Sequence, residues 1–271
     1  MPNVDCPDGT VIQRFAIGDV PCKALLPASG TVELAVLAVH GFSGSKDGPT
    51  IAALAQTLCP CGTAVYCFDF PGHGEHPAGG EALTLGNCAD ALLSAARHMS
   101  EVQPLARKGV FATSFGGYMA LLCLEELDGV LGGFDLVLKA PAVKMAETFE
   151  RAIVGDKMDL LEQQGFIELG FQRKMNIRKE YLDELRRHDV CKDYGRPMLV
   201  IHGDSDDMVL PADVDGFMGM NPFAKLVRIP GAGHNFEGEG QTEAVMEAAK
   251  SWLIESRGQA DQQAMSRRSL R

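Results

Sequence analysis

Six short, mainly apolar runs, spaced by segments of helical periodicity, constrain this chain more than anything else in it. They lie at 34–39, 64–68, 109–112, 136–138, 198–201 and 225–229. Runs this short and apolar are what strands buried on both faces require. Between them the periodicity predicts helices at about 49–58, 87–103, 115–127, 211–219 and 241–255. Strands alternating with helices in this way demand an α/β fold: a mostly parallel central sheet with helices on both faces. Two further runs, 11–17 and 22–26, are separated by Gly18-Asp19 and predict an antiparallel hairpin at the N-terminal edge of that sheet.

A chain of 271 residues can bury one large core, and no Pro/Ser-rich linker divides it. Residues 1–257 are therefore expected to form a single domain. The interval between the runs at 136–138 and 198–201 is too long for an ordinary crossover. It holds Phe149, Phe166, Ile167, Leu169, Phe171, Met175 and Ile177, with Gly165 and Gly170 as breakers. A short hairpin over 166–175 and a helix near 179–187 follow. Its aromatic content favours a small inserted cap, about 142–196, over a solvated excursion. The polar residues 258–271 are expected to form a disordered tail.

A formal net charge of −11 argues against nucleic acid or an anionic membrane surface as a partner. No stretch of ~18 apolar residues could span a bilayer. Met1-Pro2-Asn3-Val4-Asp5-Cys6 has neither the basic nor the apolar region of a secretory signal, which makes the cytoplasm the default compartment. The eight cysteines mostly sit in apolar runs, where a thiol is a small buried hydrophobe. Cys59-Pro60-Cys61 lacks the second ligand pair of a zinc site, and His73 and His76 lack a third ligand, so no metal is expected. A cap or edge strand could support a homodimer, although nothing in the sequence selects one.

Ala112-Thr113-Ser114-Phe115-Gly116-Gly117 joins a predicted strand to a predicted helix. A tight turn there would present the serine at the sheet edge, with small residues at 112 and 116 to relieve crowding. The usual pattern is G-x-S-x-G, with alanine replacing the first glycine here. A helix N-cap is the competing role for such a serine. A serine nucleophile needs a base and a group that orients the base. In an α/β sheet these come from loops after later strands, in the order Ser, Asp/Glu, His. The run 198–201 is followed by His202-Gly203-Asp204-Ser205-Asp206-Asp207, and 225–229 by Pro230-Gly231-Ala232-Gly233-His234. His234 is the candidate base, and Asp204, Asp206 and Asp207 are candidate acids. Backbone amides of Phe115 and of Phe42, in His40-Gly41-Phe42-Ser43-Gly44, are the candidate oxyanion donors. His40, His202 and Asp69 are expected to play structural roles.

These segments, together with Asp69-Phe70-Pro71-Gly72-His73-Gly74, resemble the α/β-hydrolase superfamily in order and spacing over nearly the whole chain outside the tail. The chain is most similar to the small cinnamoyl (feruloyl) esterase and monoacylglycerol lipase-like branch, with Leu138-Lys139-Ala140-Pro141-Ala142 and the compact cap on the esterase side. The resemblance places the catalytic acid three residues after the glycine of His-Gly, at Asp206. It implies a serine esterase with Ser114, Asp206 and His234 as its triad, no cofactor, and a small-molecule ester as substrate. Aryl, cinnamoyl and short-to-medium acyl esters all fit. A thioesterase or amidase/peptidase with the same triad, a cofactor-free perhydrolase, and a non-catalytic ligand-binding module on the same fold are the alternatives.

Overall fold

Alternate residues along β3 (Leu34–Val39) face opposite sides of the sheet, and both sides are dry. Ala35, Leu37 and Val39 join one core cluster; Leu34, Val36 and Ala38 join another. The computed structural model describes residues 9–171 and 173–255, so the segment 258–271 lies outside the described residues. β1 (Val11–Ile17) and β2 (Val20–Leu26) form the antiparallel hairpin, and β2 pairs antiparallel with β4 (Thr63–Phe68). From β4 the sheet runs parallel through β3, β5 (Arg107–Thr113), β6 (Asp135–Lys139), β9 (Met198–Gly203) and β10 (Ala224–Ile229). The eight-stranded order is β1-β2-β4-β3-β5-β6-β9-β10.

One face is covered by α2 (Leu85–Val102), α3 (Phe115–Leu122) and α4 (Leu124–Leu131). α2 buries Leu85, Cys88, Leu92, Ala96 and Met99 at helical spacing, and Thr84 caps it by accepting the Asn87 N–H at 3.1 Å. The single helix expected over 115–127 is broken at Cys123, whose N–H still bonds back to Met119. Periodicity alone could not show the break, because the run is apolar on every side. The other face is covered by α1 (Pro49–Leu58) and α9 (Gln241–Lys250); α8 (Pro211–Met220) links β9 to β10.

Between β6 and β9 the chain makes α5 (Met145–Thr148), a helical continuation through Val154, α6 (Met158–Gln164), the hairpin β7 (Phe166–Gly170) and β8 (Lys174–Arg178), and α7 (Lys179–Arg187). Phe149, Leu161, Ile167, Leu169, Met175, Ile177 and Leu182 are continuous with the α2–α3 core. The excursion is thus packed and not solvated. Among the described residues, no helix is long and apolar enough to cross a membrane.

Candidate active site

Ser114 ends the strand and opens the helix with φ 52° and ψ −116°, a conformation that costs a residue with a side chain about 1–3 kcal/mol. The turn is pinned from both sides. The Ser114 N–H donates to the Lys139 carbonyl at 2.9 Å, and the Ser114 carbonyl accepts from Ala142 and Tyr118. An N-cap serine has extended backbone and spends its oxygen on the helix. Ser114 does neither: its side chain caps nothing. The small residue at 116 has a different reason from mutual crowding with 112. A Cβ on Gly116 would lie 2.5 Å from the His40 carbonyl oxygen and 2.7 Å from that of Val39, so glycine lets α3 lie directly on the end of β3.

The Ser114 hydroxyl is 3.0 Å from His234 Nε2, and His234 Nδ1 is 2.8 Å from Asp206 Oδ2. Asp206 is buried, and its Oδ1 accepts the N–H groups of Met208 and Val209 at 2.9 and 2.8 Å. Burial pushes its carboxyl up, but the hydrogen bond and charge of His234 and the Val209 amide outweigh it and hold the carboxyl below its ordinary value. An Asp206 carboxylate leaves Nδ1 as the protonated ring nitrogen of His234 and Nε2 free to accept the serine proton. Asp204 and Asp207 are exposed and point elsewhere. Asp204 accepts from Ser205 and from the Gly231 N–H, stitching the Asp206 loop to the His234 loop. Ser205 N–H adds a bond to the Ala232 carbonyl at 3.0 Å. A Cβ on Gly203 would sit 2.1 Å from that same carbonyl oxygen, so the two loops meet only because residue 203 has no side chain.

Phe115 provides the first N–H of α3, one of the donors a helix leaves unpaired. Phe42 follows β3 on the neighbouring loop, its ring 6.0 Å from that of Phe115. His40 fixes this loop: its Nδ1–H donates to the Gly41 carbonyl at 2.8 Å, and its Nε2 accepts the Phe70 N–H at 3.1 Å. Burial pulls its pKa down, which keeps the ring neutral. Asp69 braces the loop from below, accepting the backbone N–H of Lys46 at 2.7 Å, the Lys46 ammonium at 2.8 Å and the Glu75 N–H at 2.9 Å. Lys46, only 1% exposed, gave no sequence signal because lysine in a loop reads as solvated. His202 donates from Nε2 to the Val209 carbonyl at 3.1 Å, supporting the Asp206 loop. His73 donates from Nδ1 to the Pro71 carbonyl, and burial holds it down to about 3.

These groups open on one cavity of about 660 Å³, lined by Ser114, His234 and Phe42 and by Met145, Ile153 and Phe171 of the β6–β9 excursion. Phe42 meets Phe149 and Phe171 nearly edge-on at 5.4 and 5.6 Å. The aromatic residues of that excursion therefore divide their duties: Phe149 fills the core while Phe171 walls the cavity. Arg151 donates to the carbonyls of Asp207 and Met208 at 2.7 and 2.5 Å and ties the excursion to the Asp206 loop. Among the described residues no three His, Cys, Asp or Glu side chains gather as metal ligands would.

Residues 36–248 match the family described as the alpha/beta hydrolase family. No curated protein matches the chain. Among solved structures, Est1E from Butyrivibrio proteoclasticus with bound ferulic acid is similar over 90% of this chain and 100% of its own, with a TM-score of 0.73 and 23% identity. A soluble variant of monoglyceride lipase from Saccharomyces cerevisiae, in complex with a substrate analogue, covers 92% of this chain and 96% of its own, with a TM-score of 0.70 and 16% identity.

Proposed function

Because this chain belongs to the alpha/beta hydrolase family, we propose that it is a serine hydrolase that cleaves carboxylic esters through an acyl-enzyme. The observation that carries this reading is the unbroken relay from the Ser114 hydroxyl through His234 to the Asp206 carboxylate. His234 takes the serine proton as the hydroxyl attacks the ester carbonyl, and Asp206 stabilises the imidazolium that forms. The Phe42 and Phe115 amides bind the oxyanion of the tetrahedral intermediate. The alcohol leaves with the proton held on Nε2. Water then repeats the sequence against the acyl-enzyme and frees the acid and Ser114. Residues 142–196 act as the cap of a single hydrolase domain, with Phe171 and Ile153 walling the apolar part of the substrate. The fold shared with Est1E and monoglyceride lipase fits an ester as the substrate.

A fluorophosphonate probe is expected to label Ser114, and Ser114→Ala is expected to abolish both labelling and p-nitrophenyl butyrate hydrolysis while keeping the far-UV circular dichroism of the parent. An unlabelled, inactive but folded parent protein would point instead to a binding module.

A further inference from the structure

Lys139 closes β6 and lines the same cavity as Ser114 and His234. It is 4% exposed. A buried ammonium is normally matched by a carboxylate or by several carbonyl oxygens. Among the described residues, the Lys139 ammonium has no hydrogen-bond acceptor and no ion-pair partner. It lies over the face of the Phe236 ring, 4.4 Å from the centroid. Lys46 makes the contrast plain, since its equally buried ammonium is held by Asp69, Glu75 and Asp47.

Two structural explanations for Lys139 fail. It makes no hydrogen bond to Asp206, whose carboxylate is oriented by Met208, Val209 and His234. Nor is it a snorkelling surface lysine, being buried and lining the cavity in company with Phe111, Ile51, Val245 and Met246. Burial draws its pKa down to about 8, against the opposing pull of the Asp206 carboxylate, so the group is still mainly a cation at neutral pH. The backbone that holds it is strained on both sides of the contact: Ala140, the next residue, has φ 43°, and Phe236 has φ 59°. Ser43 and Ser114, the other two non-glycine residues with positive φ among those described, line this cavity as well. Strain of this kind gathers where geometry serves a ligand.

We propose that Lys139 is a specificity-determining residue and that it receives a carboxylate carried by the ester, so that the preferred substrates are half-esters of dicarboxylic acids or hydroxy acids acylated on the hydroxyl. One ammonium with no arginine beside it matches a single negative charge better than a phosphate dianion. The apolar residues that line the cavity together with Ser114 and Lys139 suit the methylene chain that would separate ester from carboxylate. The class of substrate rests on the ester-hydrolase reading, whereas the carboxylate site does not.

The test uses two matched pairs of ligands: monoethyl adipate and its primary amide, with the charge on the acyl side, and 4-butanoyloxybutanoate and its primary amide, with the charge on the alcohol side. In calorimetric titrations of Ser114→Ala, the carboxylate member of one pair should bind about 10- to 100-fold more tightly than its amide, the strength of a charge-assisted hydrogen bond. The pair that discriminates identifies the side of the ester that faces Lys139. The wild-type ratio of kcat/KM for acid over amide should follow the same order, and the ratio should fall towards one in Lys139→Met and Lys139→Gln. A merely structural lysine would lower both members alike and leave the ratio unchanged. Equal binding of acid and amide in both pairs, or a ratio that survives both substitutions, overturns the proposal. Tight binding that depends on Lys139 without turnover in the parent would uphold the carboxylate site and sink the hydrolase reading alone.

Discussion

Two buried lysines on this chain carry opposite energetic signs. Lys46 and Asp69 satisfy each other, and removing one leaves the other charged and buried. Lys46→Met should therefore destabilise the fold by about 3–5 kcal/mol, read as a lower urea midpoint at unchanged slope. Lys139 has no such partner, and Lys139→Met should raise stability by ~1–3 kcal/mol at pH 7 in the same measurement. Its pH dependence runs in a defined direction. The unfolded lysine keeps its proton up to its ordinary value of 10.5, while the folded one gives it up near about 8. Between those values the unfolded chain binds more protons, so this group makes the parent's stability rise with pH across that window. The difference between the parent and Lys139→Met should shrink over the same window. A midpoint that falls on substitution would show that Lys139 has a structural partner after all.

The elements that position the site depend on two close approaches of backbone to backbone. Where β9 and β10 end side by side, Gly203 lets the Asp206 loop touch the His234 loop. Gly203→Ala should force them apart, costing about 1–3 kcal/mol of stability and on the order of 10²-fold in kcat for p-nitrophenyl butyrate, because a small displacement of the acid from the base is amplified in the rate. Activity near that of the parent would mean the loops have slack. Much of this was legible beforehand. The apolar runs gave the strands because burial on both faces leaves little room for other side chains, and the order of Ser114, Asp206 and His234 followed from three strand ends. The choice among Asp204, Asp206 and Asp207 needed resemblance, since neighbouring carboxylates on one loop look alike until their directions are known. Lys139 was in view only as part of Leu138-Lys139-Ala140-Pro141-Ala142. A lysine at a strand end reads as solvated, and the one available signal was that its strand lies in the middle of the sheet. Within the β6–β9 excursion α7 was legible from its helical spacing, whereas α5 and α6 were missed because helices of four and seven residues are too short to show a period.

At the scale of the whole molecule, the formal charge of −11 works against an anionic substrate on approach, although Lys139 would welcome it on arrival. For whichever carboxylate ester is preferred, kcat/KM should rise roughly two- to threefold as salt is raised from about 10 mM to about 0.15 M, because the Debye length shrinks from ~30 to ~8 Å and hides the surface before it hides a buried ion pair. The matched amide should be insensitive to salt. A fall with salt would mean that the local cation governs encounter. The order of strands carries a consequence for synthesis. His234 lies 120 residues beyond Ser114 and follows β10, which among the described residues is an edge strand paired with β9. A serine hydroxyl without its base is a weak nucleophile. On the relay proposed above, Ser114 therefore lacks its base as the chain leaves the ribosome and until the edge strand docks, which would spare a half-made chain from premature acylation.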